Sequence, residues 1–163
     1  MRELGRAARG PGTVFITGGG CSVLLGWRTN TVDIDVRFDP EPAGVFEAIP
    51  KLKRTLDVNV ELASPQDFLP PVPGWRERSR HIATEGQLEF FHYDFVSQAL
   101  SKIERGHTKD VADVAAMLAD GFATEEEIRD ALEAIEPQLI RYPSIDGDAL
   151  RQKVDRCFPD AND

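Results

Sequence analysis

The chain has 163 residues, 41% of them apolar, and a formal net charge of −9 at neutral pH; this allows one or at most two domains with a real core. The acidic balance excludes broad, sequence-blind binding along DNA or RNA, although a local basic patch could still dock a nucleic-acid end. Cys21 and Cys157 stand far apart with no CxxC and no histidine spacing, so neither a zinc site nor a disulfide framework is expected, and with no segment near the roughly 20 apolar residues of a membrane span, a cytoplasmic protein is.

In chain order, the pattern predicts a strand over Thr13 to Thr17, a short helix over Gly19 to Trp27, a strand over Val32 to Phe38, a helical segment over Ala43 to Leu56 broken at Pro50, and a strand over Val58 to Leu62. Pro70-Pro71-Val72-Pro73-Gly74 reads as a rigid connector. A basic stretch follows it, Trp75-Arg76-Glu77-Arg78-Ser79-Arg80-His81, in which Trp75, like Trp27, reads as a packing residue. His81 to Thr84 and Leu88 to His92 flank Glu85-Gly86-Gln87 as a hairpin at the sheet margin. Beyond it the chain reads as helical. One helix runs from Asp94 to Glu104 and stops at Gly106, and the next starts with Thr108 as N-cap. A third opens on the capping box Thr124/Glu127, and a fourth spans Asp146 to Cys157. The expected fold class is α+β, a small mixed β-sheet with flanking helices followed by a C-terminal helical portion. The expected domains are an α/β core with its hairpin over 1–92 and a helical region over 93–163 packed on it.

The chemistry concentrates between Val14 and Phe38. Successive strand side chains alternate between faces, so Asp33 and Asp35 project together while Val32, Ile34 and Val36 face the core. Two carboxylates on one face suit a divalent cation. Glu61 joins them if its strand lies alongside, and three such groups can hold Mg²⁺ against a triphosphate. Gly18-Gly19-Gly20 follows a strand and opens a helix, a turn whose backbone N–H groups can approach phosphate. A Walker A loop is excluded because no Gly-Lys-Ser/Thr follows, and the Gly-x-Gly-x-x-Gly dinucleotide fingerprint is not completed.

The run Ile16-Thr17-Gly18-Gly19-Gly20-Cys21-Ser22, continued by Gly26-Trp27-Arg28 and Thr31-Val32-Asp33-Ile34-Asp35, resembles the nucleotidyltransferase superfamily related to DNA polymerase beta, whose signature is a glycine turn followed by Asp-x-Asp. Within it, the wording is similar to minimal bacterial nucleotidyltransferases that include abortive-infection toxins, and to an uncharacterised branch of that group. Leu62 to Pro70 and Ser101 to Asp113 extend the likeness.

The resemblance implies that Asp33, Asp35 and Glu61 are catalytic and bind Mg²⁺ or Mn²⁺, with a nucleoside triphosphate as substrate. It places Gly18, Gly19 and Ser22 at the phosphates. It also carries over Lys109, Asp110 and Asp113, the Lys-Asp-x-x-Asp segment, as nucleotide-binding residues. The implied reaction moves a nucleoside monophosphate to an acceptor hydroxyl on a tRNA end, a protein or a small molecule. An antitoxin would be the protein partner if the chain is the toxin of a toxin–antitoxin pair; extended DNA and membranes are not expected partners. Arg76, Arg78 and Arg80 read either as a patch receiving phosphates of the acceptor or as an exposed solubilising strand. Lys109, Asp110 and Asp113 read equally as a helix start with a surface ion pair. His92 reads as a packed, hydrogen-bonded side chain rather than a general base. The alternative for the whole chain is a catalytically silent nucleotide- or partner-binding module with the same fold.

Overall fold

A computed structural model describes residues 1–159. The chain forms two compact units: one comprises Met1–Ser64 and Ser79–Tyr93, the other Pro65–Arg78 and the chain from Asp94 onward.

The first unit is built on a five-stranded mixed sheet in the order β3-β2-β1-β5-β4. Its strands are β1 (Gly12–Thr17), β2 (Asp33–Phe38), β3 (Asn59–Leu62), β4 (Arg80–Glu85) and β5 (Leu88–His92). β1 lies at the centre, antiparallel to β2 and parallel to β5. The predicted hairpin is present as antiparallel β4 and β5, with β4 at the margin and a register shift between His81 and Ala83. β3 runs parallel to β2 at the opposite margin. Helices α1 (Arg2–Ala7), α2 (Gly18–Leu24) and α3 (Val45–Leu56) belong to this unit.

Alternation along the strands decides the two faces. Ile16, Ile34, Val36, Val60 and Phe90 line one cavity with Leu4, Val23 and Leu52 from the helices. A Cβ on Gly20 would fall 2.9 Å from Ile16 Cγ2, so glycine there lets α2 lie close on the sheet. Phe15 occupies the opposite face, stacked near Phe91 at 5.7 Å and Tyr93 at 6.1 Å between ring centroids.

α3 does not break at Pro50; it is one helix of 12 residues. The proline sits on the exposed side, as does Phe46, whose carbonyl would have received the missing N–H, so water can serve that carbonyl.

In the second unit α5 (Phe95–Arg105) is the central element, buried from Phe95 to Ile103, and α6 (Thr108–Ala119), α7 (Glu125–Ile135) and α8 (Gly147–Cys157) each pack against it. Asp94 caps α5 by accepting from the N–H groups of Val96 and Ser97, and Gly106 ends it in the left-handed conformation with φ 67°. Thr124 and Glu127 form the predicted capping box of α7, and Asp146 caps α8 through Ala149 N–H. For α6 the N-cap is His107, in extended conformation, and Thr108 is the first helical residue rather than the cap. Trp75–Arg78 is a short helix, α4, not a strand. It lies in this unit with Leu69, Val72 and Trp75 buried. The proline-rich segment therefore contributes to a core.

Candidate active site

The sheet register assembles the predicted acids. Asp35 is partnered by Thr17 across the antiparallel β1–β2 ladder and by Glu61 in the parallel β2–β3 ladder; Asp33 is partnered by Asn59. Register partners project to one face of a sheet, so Asp33, Asp35, Asn59 and Glu61 rise on the same side as Thr17. The polar group ends at the glycine turn, because Thr17 is the N-cap of α2 and Gly18 its first residue.

Close approach requires glycine in that turn. Gly18 has φ +59°, and a Cβ there would fall 2.5 Å from Asp35 Oδ2. The carboxylate thus lies directly against the turn. A Cβ on Gly19 would fall 2.5 Å from Thr31 Oγ1 and 3.6 Å from Arg28 Nη1, which places a guanidinium beside the same turn. Thr31 Oγ1 also donates to Asp33 O at 2.9 Å and ties the approach of β2 to its own acid. Ser22 is fully buried, and its hydroxyl donates back to Gly18 O at 3.4 Å, so it braces the turn from within.

Asn59 shapes the acidic face. Its Nδ2 donates to Asp33 Oδ1 at 2.8 Å and to Glu61 Oε1 at 2.6 Å. The amide lies between two carboxylates, and among the described residues no group of three or more His, Cys, Asp or Glu side chains is arranged to hold a metal ion. The donors suit a hard cation in kind, since carboxylate oxygens are what Mg²⁺ and Mn²⁺ prefer and Asp33 and Asp35 share one face.

His92, opposite Ile16 in the β1–β5 ladder, is buried with Nδ1 3.2 Å from Cys21 Sγ, while that thiol donates to Ile16 O at 2.9 Å. Burial first, and the charge of Arg80 second, lower its pKa to about 4. It is the packed, neutral histidine that the sequence suggests.

The remaining predicted residues divide between the units. Lys109 is exposed on the first turn of α6. Asp110 and Asp113 are buried: Lys102 Nζ, itself 3% exposed, lies 2.5 Å from Asp113 Oδ2 and 3.5 Å from Asp110 Oδ1, and Arg105 Nη2 adds a contact to Asp110 Oδ1 at 2.8 Å. Asp113 is therefore partnered by Lys102 inside the helical unit. Arg78 grips Asp94 through Nε to Oδ1 at 2.9 Å and Nη2 to Oδ2 at 2.8 Å, and donates to Pro73 O, so it anchors α4 to the cap of α5. The hydrogen bond to Asp94 raises its pKa. Arg76 lies over the Trp75 ring at 4.5 Å, and Arg80 is exposed on β4 of the first unit.

Sequence reading notes Asn59 beside Glu61 but does not count it among the site residues, although the period of a strand puts both on one face. It also passed over Arg28 and Thr31. Only the fold of the 25–32 connection brings those to the turn.

A mixed sheet whose glycine turn adjoins an Asp-x-Asp strand defines a nucleotidyltransferase fold. The family described as nucleotidyltransferase of unknown function (DUF6036) matches residues 2–120, and the chain belongs to it. No curated protein and no solved structure matches the chain. Among the described residues no helix is long and apolar enough to cross a membrane.

Proposed function

We propose that the chain is a metal-dependent nucleotidyltransferase that moves a nucleoside monophosphate from a nucleoside triphosphate to an acceptor hydroxyl, on an RNA end, a protein or a small molecule. The observation that carries this reading is the contact of Asp35 Oδ2 with the Gly18 turn, which puts carboxylate and phosphate-binding backbone at one point. Asp33 and Asp35, with Glu61 as the third carboxylate, would hold a divalent cation. Bound there, it would neutralise the triphosphate and lower the pKa of the attacking hydroxyl.

The chain's own groups do the rest. Backbone N–H groups at Gly18 and Gly19 receive phosphate oxygens at the opening of α2, and Arg28 beside the turn adds a fixed positive charge where negative charge builds up on the leaving group. Ser22 keeps the turn in shape. As the acceptor oxygen bonds to the α-phosphorus and the bond to the β-phosphate oxygen breaks, pyrophosphate leaves and the hydroxyl proton passes to Glu61 Oε2, the oxygen not bonded to Asn59. Asp110 and Asp113, held by Arg105 and Lys102, anchor the start of α6 within the helical unit.

The test is transfer of label from each of the four α-labelled nucleoside triphosphates, with Mg²⁺ or Mn²⁺, into total RNA and total protein. Label that disappears in Asp33→Ala/Asp35→Ala establishes the reaction and names donor and acceptor class. A second reading, a silent nucleotide-binding module, is favoured by the Asn59 amide between Asp33 and Glu61; nucleotide binding without transfer into RNA, protein or small hydroxyl compounds would select it. Likeness to abortive-infection nucleotidyltransferases supports a toxin role with an antitoxin partner. Growth arrest on expression, relieved by Asp33→Ala, tests that role.

A further inference from the structure

The register of β2 and β3 places Glu61 beside Asp35, and one oxygen of its carboxylate is tied back along its own strand. Glu61 Oε1 is 2.6 Å from Asn59 Nδ2, and the same nitrogen is 2.8 Å from Asp33 Oδ1. One primary amide has two N–H groups, and here each serves a different carboxylate. The amide therefore supplies, between Asp33 and Glu61, the partial positive charge that a bridging cation would otherwise supply. A cation lying between Asp33 and Glu61 would compete with this amide for Asp33 Oδ1 and Glu61 Oε1, the two oxygens that face it. Glutamate can make this contact because its side chain is long enough to lean back along the strand towards residue 59.

From these contacts we infer that Asn59 is a positioning residue that gates Glu61: while its amide bridges Asp33 and Glu61 it competes with a cation for Asp33 Oδ1 and Glu61 Oε1, and Glu61 binds the cation fully when the Asn59 amide swings away. The inference rests on the nucleotidyltransferase reading above and adds to it a control on metal loading. Asn59 and Glu61 lie on the marginal strand, where a side-chain rotation displaces no core packing.

The experiment is titration of the full chain with Mn²⁺ alone, followed by electron paramagnetic resonance, for wild type, Asn59→Ala, Asn59→Asp, Glu61→Gln, Asn59→Ala/Glu61→Gln and Asp35→Asn. Removing two charge-assisted hydrogen bonds that compete with the ion should tighten Mn²⁺ binding on the order of tenfold in Asn59→Ala. Asn59→Asp, which replaces the donor by a carboxylate, should also bind more tightly than wild type. The gain in Asn59→Ala must vanish in the double variant, whereas Glu61→Gln alone should change wild-type binding less than threefold. A role of Asn59 in merely holding β3 in place would produce no such dependence on Glu61. Unchanged or weaker binding in Asn59→Ala, or a gain that survives without Glu61, overturns the inference while leaving the cation site intact. Wild-type binding that Asp35→Asn leaves unaltered overturns the cation site itself, and the gate with it.

Discussion

Replacing Gly18 by alanine separates backbone strain from damage to the acidic face. Gly18 and Gly26 both have positive φ, +59° and +78°, but they differ in what a Cβ would meet: Asp35 Oδ2 at 2.5 Å for Gly18, and nothing within 4 Å for Gly26. Forcing an alanine into left-handed conformation costs about 1 kcal/mol or somewhat more. Gly26→Ala should therefore lose about that amount, a drop in Tm of roughly 2–4 °C for a chain of this size. Gly18→Ala carries the same backbone cost and must also push the Asp35 carboxylate out by about 1 Å to reach ordinary contact; overpacking of this kind adds about 1–3 kcal/mol. Because Asp35 sits at the end of a short side chain, the displacement is local. Nucleotide transfer and Mn²⁺ affinity should fall at least tenfold in Gly18→Ala and stay within about twofold of wild type in Gly26→Ala. Thermal unfolding with Mn²⁺ titration of both variants gives the answer. Equal stability loss and equal Mn²⁺ affinity in the two would refute the placement of Asp35 against the turn.

Lys102→Met leaves Asp113 without the cation now 2.5 Å away in a buried site, and should destabilise the chain by about 3–5 kcal/mol in urea unfolding. Arg105→Met, which removes a half-exposed partner of Asp110, should cost clearly less in the same assay. His92 has a folded pKa of about 4, below its ordinary 6.5, so the unfolded chain takes up the proton first as pH falls. The stability it supports is complete above about pH 6.5 and is lost on acidification towards pH 4; His92→Gln should flatten that slope in unfolding curves measured across the window. Thr124→Ala removes one half of the α7 capping box and should cost about 1 kcal/mol, read as a shift in the urea midpoint without a change in slope.

Where local rules act alone, sequence and structure mostly agree, with Thr108 as the N-cap of α6 an exception. The alternation within β2 is enough to put Asp33 and Asp35 on one face with Ile34 and Val36 on the other, whereas Val32, expected to face the core, precedes the strand and is 75% exposed. The caps at Asp94, Thr124 and Asp146 follow from side chains that reach their own backbone. The α+β class with its C-terminal helices follows from the same patterns. Strand order is a different matter. Nothing in β3 itself states that Asn59 falls beside Asp33 and Glu61 beside Asp35; that register is seen only in the folded sheet. Pro50 reads as a helix breaker because the rule concerns the backbone, whereas its tolerance depends on which side of α3 faces water. Arg78 and Lys102 carry no local sign of their partners. Asp94 lies 16 positions from Arg78 and Asp113 lies 11 from Lys102, and tertiary packing alone closes those distances. Helix α1 has too few residues for a periodic signal and draws its support from α3 and β4.

A crystal structure of the protein with Mn²⁺ and a nucleoside triphosphate carrying a non-hydrolysable α,β-bridge tests the central claim most directly. The account predicts anomalous density on the carboxylates of Asp33 and Asp35, with phosphate oxygens on the N–H groups of Gly18 and Gly19. Mn²⁺ bound elsewhere, or a nucleotide that leaves the Gly18 turn and Asp35 untouched, would contradict it.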